Sequence, residues 1–224
     1  MIITLTGFMG CGKSSVGRYL SELLCCPFMD LDTVIEETQG RSIPDIFATD
    51  GEAAFRQMEV EALSQIIEAQ LLRDKKQSLP LLRSGCSLQK TTGLLLTAHD
   101  LCGQRGSTVS YPSAAGPANY DKVVVALGGG AVMTPECAEL IRKTHCIYLR
   151  ASIDTLVSHL ENEAAGRPML QGASLRARIE ELMALRSATY EATAHNVIDT
   201  DGKTIEEIAA EINSRGYRRV REDL

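Results

Sequence analysis

The chain has 224 residues, 44% of them hydrophobic, and a formal net charge of -6 at pH 7. That length and apolar content suffice for one substantial core without crosslinks, and the acidic balance argues against DNA or RNA as a partner, leaving small molecules. No apolar stretch approaches bilayer-spanning length and the opening Ile2-Ile3-Thr4-Leu5-Thr6 run lacks a charged leader, so a single cytoplasmic domain over residues 1–224, with no membrane partner, is expected.

Ile2 to Thr6 is β-branched and apolar and runs directly into Gly7, the pattern of a buried parallel strand meeting a tight turn. A helix is predicted from Lys13 to about Cys25, a short strand over Pro27-Phe28-Met29-Asp30, and a helix from Thr33 to Thr38. Between Glu52 and Gln70 the apolar positions Phe55, Met58, Ala62, Ile66 and Ala69 recur at helical spacing, with Glu59, Glu61 and Glu68 off that stripe. The interval from about 72 to 121 is rich in Ser, Gly, Thr and Leu, carries Pro80, Pro112 and Pro117, and lacks sustained periodicity. A surface insertion is expected there.

Farther on, Val123 to Leu127 and Cys146-Ile147-Tyr148-Leu149 read as central strands and Leu175 to Ala194 as a helix. Asn196 to Asp199 is strand-like, and Ile205, Ile208, Ala209 and Ile212 mark a closing amphipathic helix. This alternation predicts a three-layer α/β/α domain on a five-stranded parallel sheet. The seven cysteines include no CxxC pair and are expected as reduced thiols, while the four histidines have no motif partner and receive no role.

Gly7-Phe8-Met9-Gly10-Cys11-Gly12-Lys13-Ser14 satisfies GxxxxGKS between a predicted strand and a predicted helix. In such a loop the backbone N–H groups of Gly10, Cys11, Gly12 and the residues up to Ser15 surround phosphate oxygens, Lys13 bridges the β- and γ-phosphates of ATP, and Ser14 ligates Mg²⁺. Asp30 and Asp32 leave the second strand. If the extended conformation continues, period-two alternation points both carboxylates to one side, where they suit water ligation of the metal and orientation of an acceptor hydroxyl. Helix capping is the competing reading. Arg56 and Arg186 have the planar fork that clamps a carboxylate, although either alone also fits a surface helix charge. Gly128-Gly129-Gly130 permits close approach of backbone to a ligand, or is a bare turn.

Taken together, the order GxxxxGKS, DxD, FR, GGG, RP and RxxxY resembles the shikimate kinase family over nearly the whole chain outside 72–121. The resemblance implies a P-loop kinase fold and transfer of the γ-phosphoryl group of ATP to the 3-hydroxyl of shikimate, with one Mg²⁺ ion, in a monomer. It implies Lys13, Asp32 and Arg167 as catalytic residues; Asp32, Arg56, the glycine triplet and Arg186 as the shikimate site; and a mobile lid at about 158–173, whose Arg167 reaches the transferring phosphate. Gly40 to Ile43 and Ile46-Phe47 resemble the start of the substrate-binding helices. Ser158 to Gly166 carries no arginine or lysine, where members of the family usually have a basic residue on adenine. Two alternatives stand beside this reading. A related kinase, such as a gluconate kinase, need not keep both arginines with the triplet. A noncatalytic nucleotide-binding module would not need Lys13, Ser14, Asp32 and Arg167.

Overall fold

The computed structural model describes residues 1–77, 109–110, 121–161 and 174–215. Six runs form one sheet: β1 (Ile2–Thr6), β2 (Phe28–Asp30), β3 (Val109–Ser110), β4 (Val123–Ala126), β5 (His145–Arg150) and β6 (Asn196–Asp199), in the order β3-β2-β4-β1-β5-β6. The five strands other than β3 are parallel, as the sequence predicts. Every residue of β1 and β4 is buried, because helices cover both faces.

Alternation along β4 divides the interior. Val124 and Ala126 face a cluster with Val16 and Leu20 of α1 (Lys13–Leu23) and, in the later helices α6 (Ile153–Leu160) and α8 (Ile205–Arg215), Leu156 and Ile208. Val123 and Val125 face the opposite layer. That layer is built on Leu31 of α2 (Leu31–Gln39), Ile46 of α3 (Ile43–Thr49), Phe55 and Leu63 of α4 (Gly51–Gln77) and Ile141 of α5 (Pro135–Arg142). Tyr190 of α7 (Leu175–Thr193) joins it.

Two features of the expected insertion differ from expectation. Leu72 to Gln77 continue α4, since Leu, Arg, Lys and Gln sustain a helix by propensity even where Leu71 and Leu72 are exposed and no apolar stripe remains. Val109–Ser110 adds a short edge strand antiparallel to β2, too brief to show a period. Residues 78–108 and 111–120, and the expected lid beyond residue 161, including Arg167, lie outside the described residues. Among the described residues no helix is long and apolar enough to cross a membrane.

Candidate active site

Strands β2, β4 and β1 are neighbours, so their carboxyl ends set the Asp30–Asp32 turn, the glycine triplet and the phosphate loop side by side. Parallel sheets characteristically bind ligands at this edge. The phosphate loop is wound through Gly10 (φ 81°) and Gly12 (φ 90°), a left-handed backbone that side-chain-bearing residues avoid. Gly12 caps α1 without any side-chain hydrogen bond, so the helix N-terminus offers its amides to an anion. Lys13 Nζ donates to the carbonyls of Gly7 (3.0 Å) and Phe8 (2.9 Å), folding back over the loop. Ser14 Oγ donates to Asp30 Oδ2 at 2.5 Å.

The two aspartates do not sit on a continuing strand. The chain turns helical at Leu31, so Asp30 becomes the N-cap of α2, its Oδ1 accepting the Asp32 amide at 3.2 Å, and Asp32 lies in the first helical turn. Both still line the same cleft, because the cap holds them on one helix end. Helix capping and a place in the site thus coincide at Asp30.

The stripe of α4 is rotated from the expected one. Its buried row is Phe55, Glu59, Leu63, Ile66, Ile67 and Gln70, with Met58 and Ala62 only half-buried, so Glu59 faces the interior. Its place four residues from both Phe55 and Leu63 was the available signal. Arg56 makes that burial possible: its guanidinium bonds Glu59 at 2.7 Å and Glu52 at 2.8 Å. Burial nevertheless pushes the Glu59 carboxyl up to about 7; the guanidinium opposes the rise, and the Asp32 carboxylate adds to it. Among the described residues Glu59 Oε1 accepts no hydrogen bond.

Each residue of the triplet is glycine for a separate steric reason. A Cβ on Gly128 would stand 2.5 Å from Glu59 Oε1 and 2.8 Å from Asp32 Oδ1; one on Gly129 would meet the Met9 amide at 3.2 Å; one on Gly130 would strike the Arg56 guanidinium. The triplet therefore permits four groups, the Glu59 and Asp32 carboxyls, the Met9 amide and the Arg56 guanidinium, to crowd against the end of β4. On its other side the Gly129 carbonyl accepts from Arg186 Nη1 (3.4 Å) and from the Tyr190 hydroxyl, whose ring stacks on Tyr148 at 5.1 Å. Arg186 is buried, not a surface charge.

The phosphate loop, Asp30, Asp32, Arg56, Glu59, the triplet and Arg186 line one cleft of about 1380 Å³. One end holds Ile43, Pro44, Phe47, Phe55, Arg56 and Arg186; the other holds Gly10 to Ser15, His159 and residues from Thr200 to Ile208. Glu36 accepts the Ile43 amide at 2.8 Å, fastening α2 to the start of α3. The Thr200–Ile208 wall gave no sequence signal, since its residues converge only through the turn between β6 and α8.

A family model described as shikimate kinase matches residues 9–73 and 117–215. A shikimate kinase of Thermus thermophilus is 32% identical over 217 residues, spanning 96% of this chain and 90% of that protein. The Thioalkalivibrio sulfidiphilus enzyme is 33% identical, spanning 96% and 86%. Among solved structures, shikimate kinase from Acinetobacter baumannii in complex with shikimate superposes with a TM-score of 0.69 at 25% identity, covering 96% of this chain and 91% of that one. The Aquifex aeolicus shikimate kinase shares the fold at a TM-score of 0.62 and 24% identity, covering 96% and 95%.

Proposed function

The chain belongs to the shikimate kinase family, and from that premise we propose how its own residues carry out the ATP-dependent phosphorylation of shikimate at the 3-hydroxyl, a step of aromatic amino-acid biosynthesis. The observation that carries the reading is the convergence of phosphate loop, Asp32, half-buried Arg56 and buried Arg186 in one cleft.

Shikimate is a carboxylate with hydroxyls. Its carboxylate is received by Arg56 and Arg186, whose forks lie on either side of the triplet and are held by Glu59 and by the Gly129 carbonyl. Asp32, at the head of α2, faces the acceptor hydroxyl. The hydroxyl oxygen bonds to the γ-phosphorus as the bond to the ADP oxygen breaks, and its proton passes to the Asp32 carboxylate. A loose transition state asks chiefly for positioning and charge neutralisation, so Asp32 acts first as an orienting group.

ATP phosphates occupy the amides of Gly10, Cys11, Gly12, Lys13, Ser14 and Ser15. Lys13 exchanges the Gly7 and Phe8 carbonyls for the β- and γ-phosphate oxygens, a stronger charge-assisted contact. Arg167 is assigned to the same phosphate by family resemblance. Ser14 and Asp30 present hard oxygens 2.5 Å apart at the edge of the loop, which fits Mg²⁺ bound by Ser14 and, through water, by Asp30 and Asp32. The ion would supply charge neutralisation between the phosphates. We take the protein to be a single-domain cytoplasmic monomer that closes a lid of about 158–173 over the nucleotide.

The test is ADP release with MgATP and shikimate, beside Arg56→Ala, Arg186→Ala and a gluconate control. Turnover that requires shikimate and falls about 100-fold or more in both variants supports the reading; turnover of gluconate without turnover of shikimate overturns it.

A further inference from the structure

We propose that His159 is a positioning residue of the phosphate loop, fixing the Gly10–Cys11 peptide in the orientation that receives the nucleotide phosphates; this rests on the kinase reading above.

His159 occupies the last turn of α6, lines the cleft, and has Nδ1 2.8 Å from the Gly10 carbonyl oxygen. A carbonyl oxygen only accepts, so Nδ1 carries the proton and donates it. Across a trans peptide the C=O and the following N–H point in opposite directions. Drawing the Gly10 oxygen toward α6 therefore turns the Cys11 N–H toward the interior of the loop. There it makes a long 3.3 Å bond to the Phe8 carbonyl, which a phosphate oxygen is well suited to replace.

The peptide needs such a hold. Gly10, at φ 81°, has no side chain to bias its rotation, and a flipped peptide would aim a carbonyl oxygen at the polyphosphate. The neighbouring Leu160 closes the same contact sterically, its Cγ lying 2.8 Å from the place of a Gly10 Cβ. The other end of α6 is anchored too, the Ser152 amide donating to both oxygens of Asp201 at 3.0 and 3.1 Å. Helix α6 is thus tied at one end to the phosphate loop and at the other to the turn that enters the Thr200–Ile208 wall.

Calorimetric titration of MgADP into the full-length wild type, His159→Ala and His159→Asn decides the matter, with KM for each substrate and Tm measured alongside. Asn keeps a donor near the Nδ1 position, whereas Ala removes it and is the better helix former. Expected is a loss of ADP affinity of about fivefold in His159→Ala, an equal rise in KM for ATP, an unchanged KM for shikimate at saturating ATP, and recovery in His159→Asn to within about twofold of wild type. Unaltered ADP affinity in the alanine variant, failure of asparagine to recover it, or an equal rise in both KM values with a fall in Tm would overturn the proposal. ADP binding needs no shikimate, so wild type that leaves shikimate unphosphorylated refutes the substrate assignment while the titration still decides His159.

Discussion

A methyl group on the α-carbon of Gly130 would stand 2.5 and 2.6 Å from the two terminal nitrogens of Arg56. Gly130 itself has φ -111° and ψ -5°, a backbone that alanine adopts, so the substitution acts on the guanidinium alone. Gly130→Ala should raise KM for shikimate by about tenfold or more, the equivalent of about 1.4 kcal/mol, with ADP affinity retained. Steady-state kinetics in each substrate separately will show whether the loss is confined to the acceptor.

Glu59 supplies a pH signature. Its folded carboxyl is raised by burial to about 7, above the ordinary 4.5, so the folded state binds more protons than the unfolded one between those values. Wild-type stability owed to this group is therefore present below about 4.5 and lost as pH rises through about 7. Glu59→Gln, which cannot ionise, should gain in Tm relative to wild type between pH 5 and pH 8. A difference in Tm that is flat with pH would contradict the buried, raised carboxyl. At pH 8, where the wild-type carboxylate is ionised, the variant should bind shikimate less well, since Arg56 then keeps only Glu52 as an ionic partner.

Ser14→Ala removes the hydroxyl that meets Asp30 at 2.5 Å. Its kcat should fall by about 100-fold or more, and the Mg²⁺ concentration for half-maximal rate should rise. Asp30→Asn keeps the helix cap, because asparagine caps as well as aspartate. That variant should show the shift in Mg²⁺ requirement with Tm nearly intact. A magnesium titration of both, with EDTA as the zero point, checks the assignment.

Tyr190→Phe deletes the hydroxyl that reaches the Gly129 carbonyl and leaves the ring stacked on Tyr148. The loss of one buried hydrogen bond should cost about 1 kcal/mol by urea unfolding. Because Arg186 shares that carbonyl, KM for shikimate should rise several-fold while KM for ATP stays put. Equal changes in both would mean that Tyr190 serves only the core.

The sequence by itself determined the five parallel strands, the phosphate loop and the family, because those rest on local rules: apolar runs, glycine spacing and the order of short motifs along the chain. It also singled out Arg56 and Arg186, which the structure brings to one cleft. It misjudged the rotation of α4, placing Glu59 outside the apolar stripe, since a carboxylate enters a core only when a partner such as Arg56 is in place. It left open whether the extended conformation runs on to Asp32 or a helix is capped there, and the capping bond of Asp30 begins a helix. Only the tertiary structure decided why the triplet is glycine, why Arg186 is buried, and that His159 meets Gly10 across 149 positions of chain. Those relationships are set by packing between segments far apart in sequence, which no local periodicity records.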